Sequence, residues 1–252
     1  MSTAEFLVAA GLAGLPHGFF TRRGGVSEGA FASLNCSLSG ADDPARVAEN
    51  RALAMEALGL PPAALVGLHQ VHGPDVVVAR EPWPDTARPR ADGIVTDRPG
   101  LALGIVTADC GPVLFTDAEA GVIGACHAGW RGAVAGICEA VLEAMEGIGA
   151  QRGRVVAALG PCIRQASYEV GRDLFEAVGQ PEFFQPGARD GHWQFDMAGY
   201  IAARLQRAGT GLVQVIDADT QADAGRFFSH RRRTLAGGGP IGHQLSAIAL
   251  RG

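Results

Sequence analysis

The stretch LALGIVTADCGPVLFTDAEAGVIGAC, residues 101–126, decides the fold class of this chain. Since no helix pattern separates its apolar runs, strict βαβ alternation is absent. The pattern favours a mixed sheet, or two sheets, with helices outside over a doubly wound parallel sheet. The three runs have the length of buried strands and lie at Leu101–Thr107, Val113–Phe115 and Gly121–Cys126.

Further elements are predicted on both sides of this stretch. Asp43-Pro44 begins a helix that ends near Leu58, because Asp is a good cap and Pro suits the first helical position. Other helices are predicted over about Gly132–Met145, from near Gly171, and from Asp196 to near Gly209. Further strands are predicted at Val76–Ala79, Val155–Leu159, Leu212–Ile216 and Leu245–Leu250.

The composition is that of a globular protein with a large core. Of 252 residues, 47% are hydrophobic, and we expect a single domain over residues 1–252. The segments Glu81–Asp92 and Arg233–Gly242 are predicted to be surface loops. The net charge of −5 and the lack of a long apolar segment argue against nucleic acid or a membrane as a partner. No interface helix stands out, so we expect a monomer.

The basic residues and the cysteines limit which catalytic groups and which cellular compartment are expected. All 21 basic side chains are arginine, which excludes a Schiff-base lysine and a P-loop lysine. Any anionic ligand must therefore be met by arginine or by backbone N–H groups. The five cysteines are an odd number in a long chain, which is not typical of a secreted disulfide framework. We therefore expect a cytoplasmic protein.

Three motifs bounded by glycine carry the chemistry. Each lies at the end of an apolar run, where a rigid scaffold presents reactive side chains. Sulfur of Cys and nitrogen of His are usual zinc ligands, and no paired motif such as C-x-x-C is present. The dispersed set His72, Cys110 and His127 is typical of a catalytic site with one position open for water or substrate. The motifs are His69-Gln-Val-His72-Gly, Thr107-Ala-Asp-Cys110-Gly-Pro and Cys126-His127-Ala-Gly-Trp-Arg-Gly.

Other interpretations of these residues stay open at this point. A lone cysteine is more often a buried core residue than a ligand. Strand alternation would point Cys126 into the core if His127 faces a site. His69 and His72 share one short segment, so we expect one ligand there, with His69 orienting a ligand or the substrate.

A second pattern places arginine where an anion could bind. Arg131 lies just before the second predicted helix, whose N-terminus offers free N–H groups and a partial positive charge to phosphate. The turn Arg22–Ser27 is another backbone-rich candidate, and Arg51 lies within the first helix. We interpret the run Arg231-Arg232-Arg233 as a solvated surface turn.

Several further motifs occur together and in order along the chain. They are His17–Ser27, Ser33–Asn35, Asn50-Arg51, Gln70–Gly73, Ala91–Gly93, Thr107–Cys110, His127–Gly132, Gly160-Pro161, Tyr168–Gly171 and Phe227–Ser229 with Arg231-Arg232. In this combination the chain resembles the YfiH-type, or laccase-domain, family, also called the multicopper polyphenol oxidoreductase family. The resemblance extends from residue 17 to about residue 250.

The resemblance implies a fold, a metal and a substrate class. The fold is an α+β fold of two mixed sheets with outer helices, in four layers α-β-β-α, similar to certain cysteine-dependent deamidase toxins. The metal ligands implied are His72, Cys110 and His127, with zinc as the metal and copper as the alternative. The substrates are purine nucleosides and phosphate, and Ser27 and Asn35 are expected to lie at the binding site.

Two reactions follow from the resemblance. In phosphorolysis of adenosine, inosine, guanosine or methylthioadenosine, phosphate attacks the ribose, and Arg51 and Arg131 are predicted to hold it. In deamination of adenosine, a metal lowers the pKa of water, which attacks the purine carbon that carries the amino group. Glu169, on the family motif, and Asp109 are the candidates to move the proton.

The tail departs from the family's usual pattern. His230 replaces a tyrosine, Arg233 replaces an aspartate, and His243 stands where the family often has arginine. These departures affect the substrate contacts expected at this edge, and they do not affect the metal ligands.

Three alternative functions remain. Copper also accepts imidazole and thiolate, yet multicopper oxidases need many histidines, and this chain has seven with no His-x-His pair. A metal-free hydrolase would use Cys110 as nucleophile and His127 as base, but it has no need for His72. A non-enzymatic binding module would not need reactive residues in three glycine-flanked loops.

Overall fold

The computed structural model describes residues 3–251. Within that range the short apolar runs form fourteen β-strands. The first seven are β1 (Phe6–Leu7), β2 (His17–Phe20), β3 (Leu65–Gly67), β4 (Val76–Val78), β5 (Gly93–Thr96), β6 (Ala102–Thr107) and β7 (Gly111–Asp117). The others are β8 (Val122–Ala128), β9 (Val156–Leu159), β10 (Glu169–Val170), β11 (Phe184–Pro186), β12 (Trp193–Phe195), β13 (Leu212–Val215) and β14 (Gln244–Ala249).

Helices connect these strands across the same range. The α-helices are α1 (Pro44–Ala57), α2 (Trp130–Ala135), α3 (Ile137–Glu146), α4 (Arg172–Val178), α5 (Met197–Arg207) and α6 (His230–Leu235). Single-turn 3-10 helices cover Ala10–Leu12, Gly29–Phe31, Pro62–Ala64, Asp85–Ala87, Arg152–Arg154, Gln165–Ser167 and Pro181–Phe183. Asp43 and Asp196 cap α1 and α5 as predicted, since each carboxylate accepts a backbone N–H at 2.9 Å. None of the helices within residues 3–251 has the length and apolar character needed to span a bilayer.

The strands build two large mixed sheets and one small antiparallel sheet. Sheet I has the order β1-β2-β14-β6-β3, antiparallel except for the β6–β3 pair. Sheet II has the order β13-β9-β7-β8-β5-β4, parallel at both edges and antiparallel in the centre. Sheet III has the order β10-β12-β11. The expected pair of mixed sheets, rather than a doubly wound parallel sheet, is confirmed.

Buried hydrophobic clusters hold four layers together. α1 covers the outer face of sheet I through a cluster that includes Met55. A second cluster lies between the sheets and joins Leu103 of sheet I to Leu114 of sheet II. On the far face of sheet II, Val141 of α3 and Ile201 of α5 belong to the third cluster. The layers therefore follow the expected order α-β-β-α, and burial of both sheets explains why their strands read as continuous apolar runs.

The crossings between the two large sheets bring the candidate ligands together. Residues 108–110 connect β6 of sheet I directly to β7 of sheet II, which places Cys110 at the junction. The connection from β3 to β4 makes the same crossing and carries His72. His127 lies in β8, paired with Pro112 of the neighbouring strand β7. Three segments that are distant in sequence thus meet at one end of the two sheets.

Two local predictions are wrong. The helix expected over Gly132–Met145 is divided into α2 and α3, because Gly136 adopts φ +95° and ends the first helix in the left-handed region. The run Arg231-Arg232-Arg233 is not a turn, because it lies in α6, which also takes the first residues of the predicted loop Arg233–Gly242. Ser229 caps α6 by accepting a hydrogen bond from the Arg232 backbone N–H at 3.1 Å.

Candidate metal centre and its cavity

The three predicted metal ligands converge at the floor of a cavity. The ligand atoms of His72, Cys110 and His127 all lie within 4.8 Å of one another. The two imidazole rings meet edge to face, with centroids 4.6 Å apart. His127 is buried, Cys110 is half-buried and His72 is exposed, so the group opens toward solvent on one side. Among residues 3–251, this is the one group of three such side chains placed closely enough for a single ion.

The donor set and the space around it fit a metal ion. Two imidazole nitrogens and one cysteine sulfur are donors that zinc and copper both accept. Gly129 forms the adjoining wall, where a Cβ would lie 3.0 Å from Cys110 Sγ and 3.1 Å from His72 Cδ2. The cleft thus has no room for a side chain, and the cavity above it has room for a further ligand.

Asp92 orients two of the three candidate ligands. Its Oδ1 lies 2.7 Å from His127 Nδ1, which leaves Nε2 of that ring to face the cleft. Its Oδ2 accepts hydrogen bonds from the backbone N–H groups of Val71 at 3.0 Å and Gly73 at 2.8 Å, on either side of His72. Asp92 is completely buried, so one carboxylate fixes both the ring of His127 and the loop that carries His72.

The charges of the site favour the thiolate form of Cys110. Burial alone would raise the pKa of Cys110, but the charge and hydrogen bonds of His127 and those of His72 outweigh it and lower this pKa to about 6. Burial alone would lower the pKa of His127, but Cys110 and Asp92 raise it to about 9. Burial opposes the charge of Asp92 too, yet the hydrogen bonds from His127 and Gly73 lower its pKa. The thiolate that results is the form of cysteine that binds metals.

Asp109 is buried and its carboxylate is fully engaged. Oδ1 accepts a hydrogen bond from Thr220 Oγ1 at 2.7 Å, and Oδ2 accepts from Ser229 Oγ at 2.9 Å and from the Arg231 backbone N–H at 2.6 Å. Its backbone lies at φ +88°, a conformation that is uncommon for any residue with a side chain. Asp109 therefore ties the start of α6 to the turn that presents Cys110.

The cavity above these residues has a volume of about 530 Å³. Two arginines in its wall lie over aromatic rings. The guanidinium carbon of Arg131 is 4.2 Å from the centroid of the Trp130 ring, and that of Arg231 is 5.1 Å from the centroid of the Tyr168 ring. Burial and the charge of the Cys110 thiolate raise the pKa of Tyr168, so its hydroxyl stays protonated. The remaining lining residues are Ser37, Ser39, Leu68, Gln70, Arg88, Val106, Thr107, Ala108, Asp109, Ile163, Met197, His230 and His243.

Ser27 and Asn35, predicted at the substrate site, do not line this cavity. Both donate hydrogen bonds to Oδ2 of Asp42, from Ser27 Oγ at 2.6 Å and from Asn35 Nδ2 at 2.9 Å. Asn35 Oδ1 accepts from the backbone N–H groups of Ser37 and His243, which are cavity residues. The two side chains thus belong to a buried network that supports the cavity wall.

Three other predicted site residues also lie outside the cavity lining. Arg51 pairs with Asp85 at 3.3 Å. His69 is exposed at the bridge between its strand end and the following loop. The carboxylate of Glu169 bonds to the Arg189 side chain at 2.6 Å, and that hydrogen bond lowers its pKa. Its backbone carbonyl, rather than its carboxylate, faces the site by accepting from Arg231 at 2.6 Å.

The sequence analysis missed three residues of the site. Asp92 was part of a recognised motif, but nothing in the sequence pairs it with His127. The sequence pattern indicates a surface turn at Arg231, and it shows Tyr168 only as part of a motif. The one available signal was that Asp92 directly precedes an apolar strand, as Asp109 precedes Cys110 at the end of another.

Comparison with known proteins finds enzymes that are similar to most of this chain. A purine nucleoside phosphorylase of Deinococcus radiodurans is 43% identical over 242 residues, which cover 94% of this chain and 89% of that protein. A purine nucleoside phosphorylase of Streptomyces coelicolor is 40% identical over 225 residues, covering 88% of this chain and 92% of that protein. The relatives named are enzymes, which supports an enzymatic role for this chain.

Comparison with solved structures and with family models identifies the fold and the family. The crystal structure of YlmD from Geobacillus stearothermophilus superposes with a TM-score of 0.90 at 29% identity, over 100% of both chains. Residues 16–251 match the family described as multi-copper polyphenol oxidoreductase laccase. That match covers nearly the whole chain, as the motifs predicted. The chain therefore belongs to the multi-copper polyphenol oxidoreductase laccase family.

Proposed function

We propose that this protein is a zinc-dependent purine nucleoside phosphorylase. The observation that carries the proposal is the convergence of His72, Cys110 and His127 beneath a cavity whose wall holds Arg131 and Arg231, each stacked on an aromatic ring. The relatives named as purine nucleoside phosphorylases support the substrate class. The proposed substrates are adenosine, inosine, guanosine and methylthioadenosine, each with inorganic phosphate.

The arginines Arg131 and Arg231 are proposed to bind the phosphate. Each guanidinium lies over an aromatic ring, which leaves N–H groups at its edge free to meet an anion. Arg231 uses one of these groups to bond the Glu169 carbonyl, which fixes its position. Arg51, the other predicted phosphate ligand, is tied to Asp85 and has no part in this proposal.

Phosphorolysis exchanges one bond at the ribose. A phosphate oxygen attacks the anomeric carbon, the bond from that carbon to the purine nitrogen breaks, and the purine leaves with the bonding electrons. The contribution of the arginines is positional and electrostatic, because they hold the anion next to a carbon that gains positive charge.

The residues support a single zinc site better than a multicopper centre. A bound zinc ion would act as a Lewis acid and lower the pKa of water or of a coordinated substrate group. Residues 3–251 hold one group of three possible ligands, whereas a multicopper oxidase needs several such groups. Asp92 and Cys110 would keep the site anionic, which favours a divalent ion.

Adenosine deamination is a second proposed activity of the same site. It exchanges the amino group for oxygen from water at the purine carbon, and it needs a group that moves a proton. The carboxylate of Glu169 is turned toward Arg189 and that of Asp109 is engaged by three donors, so both are placed to hold structure. His127 would bind the metal through Nε2 and is held by Asp92 through Nδ1, so the proton would have to pass through another group of the cavity or through water.

One specific observation favours a different class of enzyme. Asp92, His127 and Cys110 form a chain of contacts in which the acid orients the imidazole beside the thiol, as in cysteine hydrolases. His72 distinguishes the two proposals, because a hydrolase of this kind needs no second imidazole at the sulfur. A metal site needs all three side chains.

The test is product analysis with purified full-length protein. Inosine is incubated with and without phosphate, and hypoxanthine and ribose 1-phosphate are quantified by liquid chromatography. The proposal predicts both products in equal amounts, only when phosphate is present, and their loss in Cys110→Ala. Hypoxanthine at the same rate without phosphate, or neither product when phosphate is present, would contradict it.

A further inference from the structure

His243 has an unusual place in the cavity wall. Its backbone is fixed from both sides, since its N–H donates to Asn35 Oδ1 at 2.9 Å and its carbonyl accepts from the Cys36 N–H at 3.0 Å. The side chain lines the same cavity as the candidate ligands. The position of the imidazole is therefore set by the buried network that contains Asn35, and not by a partner of the ring itself.

No group within residues 3–251 forms a hydrogen bond with either ring nitrogen of His243. Nδ1 is buried and has no hydrogen-bond partner among these residues. Two other histidines of the cavity differ, because His127 is bound by Asp92 and His230 accepts from Arg233 at 2.7 Å. Buried polar groups in native proteins are nearly always partnered, so an unpaired imidazole in a cavity wall indicates a partner that arrives with the ligand.

The environment determines which form of the ring is present. Burial, followed by electrostatic interactions with His127, His230 and Arg233, lowers the pKa of His243 to about 4. The ring is thus neutral near pH 7 and carries one proton. A proton on buried Nδ1 would leave an N–H donor without an acceptor, which native structures avoid. The proton therefore belongs on Nε2, and His243 presents one neutral donor.

We propose that Nε2–H of His243 donates a hydrogen bond to an acceptor of the purine nucleoside, and so helps to select that substrate. This inference rests on the proposed function. An uncharged donor suits the unprotonated ring nitrogens of a purine or the ribose oxygens, whereas Arg131 and Arg231 suit the phosphate. The cavity wall is thereby divided into a neutral part that binds nucleoside and a cationic part that binds the anion.

The test is equilibrium dialysis of inosine, without phosphate, against four forms of the full chain. These are the wild type, His243→Leu, which removes the donor, His243→Gln, whose amide nitrogen can reach the place of Nε2, and the control His192→Leu. His192 lies beside sheet III and outside the cavity lining. Zinc content and melting temperature are recorded for each, so that a misfolded variant is recognised.

The expected result is inosine affinity about tenfold weaker in His243→Leu, the effect of one lost hydrogen bond left unsatisfied. His243→Gln should recover most of this loss, and His192→Leu should match the wild type. Equal affinity in His243→Leu and wild type, equal weakness in both His243 variants, or no inosine binding by the wild type would overturn the inference. Turnover with phosphate is measured separately, and its absence in a wild type that binds inosine contradicts the proposed function alone.

Discussion

His127 Nδ1 lies 2.7 Å from Oδ1 of Asp92, a carboxylate completely buried beneath the candidate metal site. The second oxygen of that carboxylate bonds the backbone on both sides of His72. A single acidic group thus connects two candidate ligands that are 55 positions apart in sequence. This carboxylate–histidine pairing is typical of zinc sites, where the acid orients the ring and increases its basicity.

Asp92→Asn is therefore expected to weaken zinc binding about 10- to 100-fold, because an amide has one acceptor oxygen in place of two. Competition with a chromogenic zinc chelator measures the affinity. The matched control is Asp75→Asn, since Asp75 lies in the same connection and its side chain is exposed. Equal zinc affinity in Asp92→Asn and the wild type would exclude this role for Asp92.

Gly129 is predicted to set the width of the metal cleft. A methyl group at this position would lie 3.0 Å from Cys110 Sγ and 3.1 Å from His72 Cδ2. Crowding of a packed site costs about 1–3 kcal/mol, so Gly129→Ala should weaken zinc binding by about tenfold. Gly153→Ala is the control, because a Cβ there meets no atom within 4 Å. Unchanged zinc affinity in Gly129→Ala would show that the cleft does not confine the ion.

Arg131→Gln is expected to raise the KM for phosphate roughly 10- to 100-fold, since a charge-assisted hydrogen bond to the anion is lost. The KM for inosine should stay close to that of the wild type. Steady-state kinetics, with phosphate and inosine varied in turn, measure the two KM values separately. Arg172→Gln serves as the control, because the Arg172 side chain is 73% exposed and pairs with Glu176 on the surface of α4. A rise in the inosine KM alone would place the nucleoside, and not phosphate, at Arg131.

Asp117 is predicted to stabilise the fold in a pH-dependent way. Burial would raise the pKa of Asp117, but hydrogen bonds from Arg154 and from the backbone N–H groups of Gln151 and Ala120 lower it. Since the folded pKa is depressed, the stabilisation is complete above the unfolded value, near 3.9, and is lost as pH falls through the folded value. Asp117→Asn should lower the free energy of unfolding by about 1–3 kcal/mol at pH 7.

Urea unfolding at pH 7 and near pH 3 measures this effect. The difference between Asp117→Asn and the wild type should shrink at the lower pH. Glu119→Gln is the control, because Glu119 meets the same arginine from a side chain that is 75% exposed. A difference that is equal at both values of pH would mean that the charge of Asp117 does not contribute.

Much of the fold could be predicted from periodicity and caps. The adjacent apolar runs over residues 101–126 correctly indicated mixed sheets, and Asp43 and Asp196 correctly marked the starts of α1 and α5. The strands that were missed, such as β1 at Phe6–Leu7 and β3 at Leu65–Gly67, are two or three residues long. Runs this short carry no period, so their pairing depends on tertiary contacts that the sequence does not reveal.

The candidate site also has a part that the sequence predicts and a part that it does not. His72, Cys110 and His127 could be predicted because each has a distinctive side chain in a glycine-bounded segment. The residues that support these ligands could not be predicted, because their roles depend on which segments become neighbours in space. Asn35 and Ser27 have the composition of ligand-binding residues, yet they bond Asp42 in a network beneath the wall. Arg231 lines the cavity from the first turn of the helix that Ser229 caps.

The central claim is that His72, Cys110 and His127 together hold one metal ion. The most direct test is elemental mass spectrometry of zinc and copper after loading and dialysis, on the wild type, His72→Ala, Cys110→Ala, His127→Ala and the control Cys126→Ala, whose side chain lies in the core cluster. We predict one zinc per chain in the wild type and in Cys126→Ala, and its loss in the other three. A Cys110→Ala protein that keeps the wild-type zinc content, or a wild type that binds several coppers or no metal, would contradict the account.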